Sequence, residues 1–302
     1  MVAVAKANEL CNKYGLDTIS CGATIAFAME CYEKGLISKE KADGLELNLG
    51  NKDVLAILVE KIAKREGIGE LLSQGSKRAA QMIGEAAIPL SIDAKGQEFP
   101  AHMPHNKPMI GLQYAIYPGG ADHTNGEVDE TYTMPADSFV MERLSDIGAG
   151  GYHEDIFNLT GEKVKLAFTT HCYSSLADTL CMCLFIYGSS AAIYGPKEVV
   201  ELCKSGIGWD VTINELIEIG ERKLNMMRYL SSREGFTKKD DVLPDRIFEP
   251  LKDGPSKGKC LNREQFESAK ETYYNLVGWD SETGNPTKET LNKLSLGWVL
   301  DI

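Results

Sequence analysis

The sequence has no excess of basic residues: 32 Lys and Arg stand against 44 Asp and Glu, and the formal net charge at pH 7 is -12. This charge repels nucleic acid phosphates and anionic lipid surfaces. The chain also lacks any apolar run near the ~18 residues of a membrane helix, and its first residues do not resemble an export signal. We therefore expect a cytoplasmic protein that binds neither nucleic acid nor membrane.

Motifs of several enzyme classes are missing too. No glycine-rich loop follows a strand and opens a helix as in dinucleotide-binding folds, and no serine-hydrolase elbow occurs. There is no repeated unit and no alternating series typical of strands. Eight cysteines in 302 residues without an export signal fit reduced thiols or cluster ligands better than a disulfide framework.

The pattern that is present is helical, with apolar residues three and four positions apart. It is interrupted between residues 87 and 120 by Pro89, Pro100, Pro104 and Pro108, which indicates a loop-rich crossing between two domains. We predict an all-α, multihelical protein with helical domains at 1–92 and 93–302. The predicted helices are 25–36, a short one after Ser38 that buries Ala42 and Leu45, 51–66, 71–83, 160–187, 196–206, 214–230, 264–276 and 288–294.

The first segment that could carry chemistry is a polar elbow between two predicted helices, where Asp17 follows Gly15 and Leu16. An acid at such an elbow is typical of a residue that caps the next helix by accepting backbone N–H bonds. A carboxylate at the same place could also bind a ligand. Both interpretations of Asp17 remain open on the residues alone.

A second segment places Asp178, Cys181 and Cys183 among residues that would otherwise form a core. An unpaired buried carboxylate is costly, so Asp178 should meet donors from the protein or from a ligand. The two thiols could be small core residues, because Cys-x-Cys is a weak metal signal and structural sites usually use Cys-x-x-Cys. Neither thiol decides the function by itself.

Together these segments resemble the aldehyde ferredoxin oxidoreductase family, whose members carry two copies of an Asp/Asn-x-x-Gly-Leu-Asp/Cys motif. Asn12-Lys-Tyr-Gly-Leu-Asp17 resembles the first copy, and Asp178-Thr-Leu-Cys-Met-Cys183 resembles the second. Neighbouring segments follow in the family's order: Thr18-Ile-Ser, Ile25-Ala-Phe-Ala-Met-Glu-Cys-Tyr-Glu-Lys-Gly-Leu, Ile62-Ala-Lys-Arg-Glu-Gly-Ile-Gly-Glu-Leu-Leu-Ser-Gln-Gly and Lys95-Gly-Gln-Glu-Phe-Pro-Ala-His.

The resemblance implies a tungsten or molybdenum bis-pterin and a [4Fe-4S] cluster. Each pterin offers adjacent N–H donors that one carboxylate can accept, so Asp17 and Asp178 would each hold one pterin. Asn12 and the backbone around Leu16 and Met182 would shape the two pockets. By the same resemblance, Cys183 would be the last ligand of the iron-sulfur cluster, one residue from the pterin pocket.

The chain departs from the family pattern in three ways. Cys181 replaces the usual Gly of the second copy, and Met182 replaces Leu. The Cys-x-x-Cys-x-x-x-Cys run that supplies the other cluster ligands does not occur in the chain. The amino-terminal pterin-binding domain is also expected to be missing, through a split gene or a cloned fragment. We therefore expect both cofactors to be absent or incomplete in this fragment, and the fragment to be inactive alone.

A third segment, Tyr117-Pro-Gly-Gly-Ala-Asp-His-Thr-Asn-Gly-Glu, resembles the family's Gly-Ala-x-His loop near the metal, which makes His123 the candidate acid/base. Asn125 stands where the family often has a basic residue, which leaves the substrate class open. We interpret His102 and His105 as loop residues rather than a metal pair. His153 and His171 are interpreted as structural.

The resemblance implies that the natural full-length protein oxidises an aldehyde to a carboxylic acid and passes electrons through the cluster to ferredoxin. One alternative is a reductive family member, such as a subunit of an aromatic acyl-CoA reductase. A further alternative, from a different class, is a helical module that only binds a partner. A homodimer is possible, but no convincing Glu-x-x-His for a bridging metal occurs in the front domain.

Overall fold

The computed structural model describes residues 1–151 and 155–301, and they are mainly helical. They contain twelve α-helices and one two-stranded antiparallel hairpin, in which Asp93 pairs with Glu98 and Ala94 with Gln97. The predicted all-α class is confirmed. Among the described residues, no helix has the length and the apolar character that a membrane span requires.

The first of two compact units comprises residues 1–101 together with 243–246. Its helices are α1 (Val2–Tyr14), α2 (Thr18–Glu33), α3 (Leu55–Lys64), α4 (Ile68–Leu72) and α5 (Gly75–Ile83), and its strands are β1 (Asp93–Ala94) and β2 (Gln97–Glu98). Short 3₁₀ helices occupy Lys52–Val54 and Ile88–Leu90. The domain boundary after residue 92 stays a prediction.

Helix α2 lies in the core of the first unit because apolar residues cover most of its surface, with Ile25, Phe27 and Ala28 all buried. The buried carboxylate of Glu98 accepts hydrogen bonds from the backbone N–H and the hydroxyl of Ser76, at 2.7 and 2.9 Å. This bond satisfies a backbone donor in the first turn of α5 that has no partner inside the helix. A carboxylate from the hairpin therefore fixes the start of α5.

The second unit comprises residues 102–242 and 247–302, of which the structure describes 102–151, 155–242 and 247–301. Its helices are α6 (Pro108–Ile116), α7 (Phe139–Asp146), α8 (Gly161–Thr179), α9 (Pro196–Ile207), α10 (Ile213–Arg233), α11 (Arg263–Val277) and α12 (Lys288–Lys293). Other 3₁₀ helices occupy Asp129–Thr133, Lys238–Asp240, Asp245–Phe248 and Gly297–Asp301. The residues of Asp245–Phe248 are divided between the two units.

Helix α8 is the centre of the second unit, where it packs against α6, α10 and α11. It has no polar face because most of its residues from Val164 to Ala177 are buried. Its closest neighbour is α10, and the approach is tightest at Gly220. A Cβ atom on Gly220 would lie 1.8 Å from the carbonyl oxygen of Cys172, so only glycine fits there.

We expect Gly220→Ala to lower the free energy of unfolding by about 1–3 kcal/mol or more, because the added methyl group forces two packed helices apart. Gly206→Ala is the matched control, since a Cβ atom there would meet only Leu202 Cδ1, at 3.8 Å. The control should be neutral or stabilising by about 0.4–1 kcal/mol. Urea unfolding followed by circular dichroism measures both, and equal effects of the two substitutions would contradict the packing argument.

Helix α6 lies inside a segment for which the sequence predicts a loop. The prolines of this segment favour that prediction, because proline usually breaks a helix. Pro108 instead occupies the first turn of α6, where its missing N–H costs nothing. The next two N–H groups, of Met109 and Ile110, donate to the buried carboxylate of Asp129 at 3.1 and 3.4 Å. Asp129 also pairs with the buried Lys163 at 2.5 Å. A distant acid thus supplies the cap that the local sequence does not show.

Other predicted helices also differ from the structure. Residues 39–44 form turns instead of a helix, although Ser38 does accept the N–H of Lys41 and Ala42 is buried. The predicted helix 71–83 is divided between α4 and α5, and α7 was not predicted. Helix α8 ends at Thr179 rather than near residue 187, because Cys181 adopts a left-handed conformation with φ 56°.

Candidate functional site

The first motif forms the end of helix α1 and the turn after it. Gly15 has φ 69°, its N–H donates to the carbonyl of Asn12 at 3.4 Å, and the N–H of Leu16 donates to the carbonyl of Cys11 at 2.9 Å. These bonds satisfy carbonyls of the last helical turn and require a left-handed residue at position 15. The motif therefore has glycine at position 15 because the chain changes direction there through a left-handed conformation.

Asp17 is the N-cap residue of helix α2, and its Oδ1 accepts the backbone N–H of Ser20 at 2.6 Å. The capping interpretation is confirmed by this bond. Asp17 is exposed, and its second carboxylate oxygen accepts no hydrogen bond from the part of the chain that the structure describes. One oxygen fixes the side chain on the helix, and the other is available to a ligand.

Asn12 and Leu16 flank the same turn. The amide nitrogen of the exposed Asn12 donates to the carbonyl of Asn8 at 2.9 Å. Leu16 is partly buried and packs on the core of the first unit. Together with Asp17 it lines an open pocket whose other walls are Ser20, Cys21, Thr24, Ile62, Leu72, Ser73 and Gly75.

The second motif repeats the same helix ending at the end of α8. Cys181 is left-handed, its N–H donates to the carbonyl of Asp178 at 3.0 Å, and the N–H of Met182 donates to the carbonyl of Ala177 at 2.8 Å. The hydrogen bonds span the same numbers of residues as in the first motif. The two motif copies are therefore one local structure used twice, in which Asn12 corresponds to Asp178 and Asp17 corresponds to Cys183.

We expect Cys181→Gly to raise the free energy of unfolding by about 0.5–1 kcal/mol, because a left-handed conformation strains any residue that has a Cβ atom. Cys181→Ala is the control, since it removes the thiol and keeps the Cβ atom. Urea titration of both variants checks the prediction. A similar gain from alanine would assign the effect to loss of the thiol and contradict the backbone argument.

Asp178 lies in the last turn of α8, and its side chain is about half exposed, at 48%. Its Oδ2 accepts a hydrogen bond from Lys223 Nζ of helix α10 at 2.5 Å. Burial raises the pKa of Tyr117 to about 12, and the charges of Asp122 and Asp178 add to this shift. Asp178 therefore lies near Tyr117 and near the loop that carries His123.

Cys183 lies in the turn after α8, and its side chain is exposed. Its carbonyl accepts the N–H groups of Ile186 and Tyr187 at 3.0 and 2.8 Å, which holds the turn closed. Met182, just before it, is partly buried. Within residues 1–151 and 155–301 no group of three His, Cys, Asp or Glu residues could hold a metal ion.

His123 stacks on His102, with ring centroids 5.0 Å apart and an angle of 18° between the planes. The Nδ1 of His102 lies 3.0 Å from Lys107 Nζ, which in turn pairs with Glu130 at 3.0 Å. Burial, followed by the charges of Lys107 and His123, lowers the pKa of His102. His102 therefore favours the neutral form beside His123. Sequence reasoning missed this pair, because 21 positions separate the two residues and no motif links them.

Two of the other three histidines lie in the described part of the second unit. His105 is buried at 5% exposure. His171 is buried on α8 and hydrogen-bonded through Nδ1 to the hydroxyl of Tyr273 at 2.8 Å, a partner that the sequence did not reveal. His153 lies outside the described residues.

Comparison with known proteins places this chain in a family. The sequence model described as "Aldehyde ferredoxin oxidoreductase, domains 2 & 3" matches residues 1–296. The tungsten-containing aldehyde ferredoxin oxidoreductase of Pyrococcus furiosus is 34% identical over 98% of this chain and 46% of its own length. The enzyme of the same name from Thermococcus kodakarensis is 33% identical over 99% of this chain and 46% of its own length.

Two further similarities are broader. The aliphatic sulfonate oxidoreductase, WOR-like subunit, of Pyrococcus furiosus is 30% identical over 95% of this chain and 42% of its own length. The solved active site complex BamBC of benzoyl coenzyme A reductase with 1,5-dienoyl-CoA shares the fold, with a TM-score of 0.73 and 24% identity over 96% of this chain and 46% of that chain. The chain spans about half the length of the relatives it matches. It belongs to the aldehyde ferredoxin oxidoreductase family of oxidoreductases, in the part formed by the family's domains 2 and 3.

Proposed function

We propose that the natural full-length protein oxidises an aldehyde to a carboxylic acid, with a tungsten or molybdenum bis-pterin and a [4Fe-4S] cluster that passes electrons to ferredoxin. The observation that carries the proposal is the repeated helix ending, which presents Asn12 and Asp17 at the first motif and Asp178 and Cys183 at the second. Two copies of one structure suit two copies of one ligand. Family membership supplies the chemical identity of that ligand.

The donor and acceptor groups of these residues fit two pterins. A pterin edge carries adjacent N–H donors, and a carboxylate accepts two such bonds with charge-assisted strength. Asp17 keeps one oxygen outside its cap bond, and Asp178 keeps Oδ1 outside its bond to Lys223. Asn12 and Asp17 would hold one pterin and Asp178 the other, with the backbone of Leu16 and Met182 forming the pocket floors.

When bound, the metal and its pterins supply Lewis-acid polarisation of the carbonyl and accept the two electrons. His123 would hold or transfer a proton at a ring nitrogen, since an imidazole can act both as a proton donor and as a proton acceptor. The stacked His102, which favours the neutral form, adds no second positive charge there. Cys183 would donate one thiolate to the cluster, and the other three ligands would come from outside residues 1–302.

The proposal extends to partners that this chain does not include. The relatives are about twice as long, so we infer that an amino-terminal pterin-binding domain covers the other face of the cofactor. Residues 1–302 alone should then be inactive, with both cofactors absent or incomplete. Domains at 1–92 and 93–302, a cytoplasmic location, and a possible homodimer belong to the same proposal.

A second candidate is a reductive member of the family, such as a subunit of an aromatic acyl-CoA reductase. The specific observation in its favour is Asn125, a neutral and buried residue where the family often has a basic one. Relatives of this chain also differ in substrate, since one is named an aliphatic sulfonate oxidoreductase. The similarity to the benzoyl coenzyme A reductase complex, at 24% identity, concerns the fold alone.

Metal analysis of the native full-length protein tests the proposal. Purified protein should contain tungsten or molybdenum with pterin, and it should reduce ferredoxin or a viologen dye when an aldehyde is added. Metal without aldehyde activity, but with thioester reduction, would favour the acyl-CoA candidate. Absence of both metals from the native protein would overturn the proposed enzymatic function and would favour a helical module that binds a partner.

A further inference from the structure

Among the buried side chains of the second unit are four that each carry one polar atom without a hydrogen bond to another described residue. They are the Nε2 atoms of Gln113 and His171, the Nδ2 atom of Asn125 and the Oγ atom of Ser175. Each side chain is exposed by 3% or less. Leaving a buried donor unpaired costs about 1–3 kcal/mol, and native proteins rarely do so.

These side chains lie together around the loop that follows α6. A methyl group on Gly126 would lie 2.3 Å from Gln113 Nε2, so Gln113 packs directly against the residue after Asn125. The Asn125 amide partly offsets the raised pKa of Tyr117. Its Nδ2 atom nevertheless forms no hydrogen bond to a described residue. The rings of Tyr117 and His171 lie 6.1 Å apart.

One end of this cluster reaches the proposed pterin site. Tyr117 interacts electrostatically with Asp178, and Ser175 lies one turn before Asp178 on the same face of α8. A polar interior with several unpaired donor and acceptor atoms is the kind of site that holds ordered water. We infer that water molecules bridge these atoms.

The other end of the cluster leads toward an open pocket. His171 Nδ1 bonds to the hydroxyl of Tyr273, and the Tyr273 ring contacts Trp279 edge-on at 5.9 Å. Trp279 and Glu221 line a pocket of about 420 Å³. Burial raises the pKa of Glu221, and its charge acts on Tyr273. Glu221, whose carboxyl group holds its proton more firmly than usual, therefore lines the pocket to which this end of the cluster leads.

We propose that Asn125, His171 and Tyr273, bridged by ordered water, form a proton-transfer path from the Asp178 side of the second unit to the Glu221 pocket. The proposal rests on the proposed function: oxidation of an aldehyde by water yields a carboxylic acid, two protons and two electrons, and the protons must leave. A proton arrives at His171 Nε2, the proton on Nδ1 passes to the Tyr273 oxygen, and the hydroxyl proton moves on toward Glu221. No bond to carbon changes, and charge is conserved at each transfer.

The neutral state of His171 suits this role. Burial lowers its pKa to about 3, so the imidazole takes up a proton at one nitrogen while it releases one from the other, and it does not store charge. Nε2 is the atom without a protein partner, and Nδ1 is the atom bonded to Tyr273. The two ring nitrogens therefore face opposite parts of the path.

The hydration of the cluster is tested by a high-resolution crystal or neutron structure. We expect ordered water within hydrogen-bond distance of Gln113 Nε2, Asn125 Nδ2 and His171 Nε2. A dry cluster, in which these atoms turn to bond protein groups, would overturn the path without reference to any activity. A bound anion instead of water would overturn it as well.

Transport of protons is tested in the full-length holoenzyme with His171→Gln and Tyr273→Phe. Each should lower the turnover of aldehyde about 10- to 100-fold and increase the solvent deuterium isotope effect, with metal and pterin content unchanged. Tyr173→Phe is the matched control: among the described residues, the hydroxyl of this buried α8 tyrosine bonds the carbonyl of Tyr187 alone, at 3.4 Å, and the turnover and isotope effect of this variant should stay at the unsubstituted values.

The outcomes separate the two proposals. Aldehyde turnover in the unsubstituted enzyme, with an unchanged isotope effect in His171→Gln and Tyr273→Phe, would overturn the path alone. Turnover could instead fall in His171→Gln without a larger isotope effect, and by the same amount in Tyr173→Phe. That result would assign a purely structural role to His171 and overturn the path too. Failure of the proposed function shows earlier, as absence of tungsten and molybdenum from the unsubstituted protein.

Discussion

Replacement of Arg228 by methionine should lower the free energy of unfolding by about 3–5 kcal/mol, the largest stability effect we expect from one substitution. Arg228 is completely buried, and its guanidinium forms two bonds of 2.7 Å to the carboxylate of Asp241. Its Nε donates to the carbonyl of Gly284 at 2.9 Å, and its plane lies 4.9 Å from the ring centre of Trp279. Removing the arginine leaves the buried carboxylate without its counter-charge.

The double variant Arg228→Met with Asp241→Leu should recover part of this loss, because replacing both members of a buried ion pair removes the unpaired charge. Lys6→Met is the surface control: Lys6 pairs with Glu9 at 2.9 Å, with both side chains more than half exposed, and should change stability by less than about 1 kcal/mol. Urea unfolding measures all three variants. A loss below about 1 kcal/mol for Arg228→Met would contradict the proposed stabilising role.

The second large effect concerns the cofactor. In the full-length protein, Asp178→Ala should weaken pterin binding at least about 100-fold, because two charge-assisted hydrogen bonds are lost. Stability should change little, since the ion pair with Lys223 is only half-buried and such pairs contribute about 0–1 kcal/mol. Tungsten, molybdenum and pterin content per protein chain, measured beside the unfolding curve, distinguishes cofactor loss from unfolding.

Asp210→Ala is the matched control for that experiment. Asp210 is fully exposed at 100%, pairs with Lys204 only at 3.8 Å, and belongs to neither motif. Its metal and pterin content should equal that of the unsubstituted protein. Full retention of metal and pterin in Asp178→Ala would remove Asp178 from the proposed site.

Helices with strong periodicity and clear caps were predicted well from the sequence. Helix α10 was predicted at 214–230 and observed at Ile213–Arg233, where Thr212 and Glu215 cap each other reciprocally. Helix α6 was missed because its cap is Asp129, which lies 20 positions from Met109. A helix end that depends on a distant side chain leaves no local signal.

The local form of the first motif could also be predicted, because Gly15 marks the end of its helix. The same turn at the second motif was missed, because Cys181 stands where the first motif has glycine and the apolar pattern continues to residue 187. The partners of the site residues could not be predicted: His102 under His123, Lys223 on Asp178 and Tyr273 on His171 lie 21, 45 and 102 positions away. The meeting of Asp17 and Asp178 at one cofactor stays a prediction.

The sequence by itself determined the helical class, the first elbow and the family, because periodicity, caps and a glycine at a helix end act over a few neighbouring positions. Only the tertiary structure decided which polar side chains are buried and with whom. Arg228 with Asp241, Lys163 with Asp129, and the unpaired atoms around His171 show the reason. A buried polar group requires a partner, and packing brings that partner from any part of the chain.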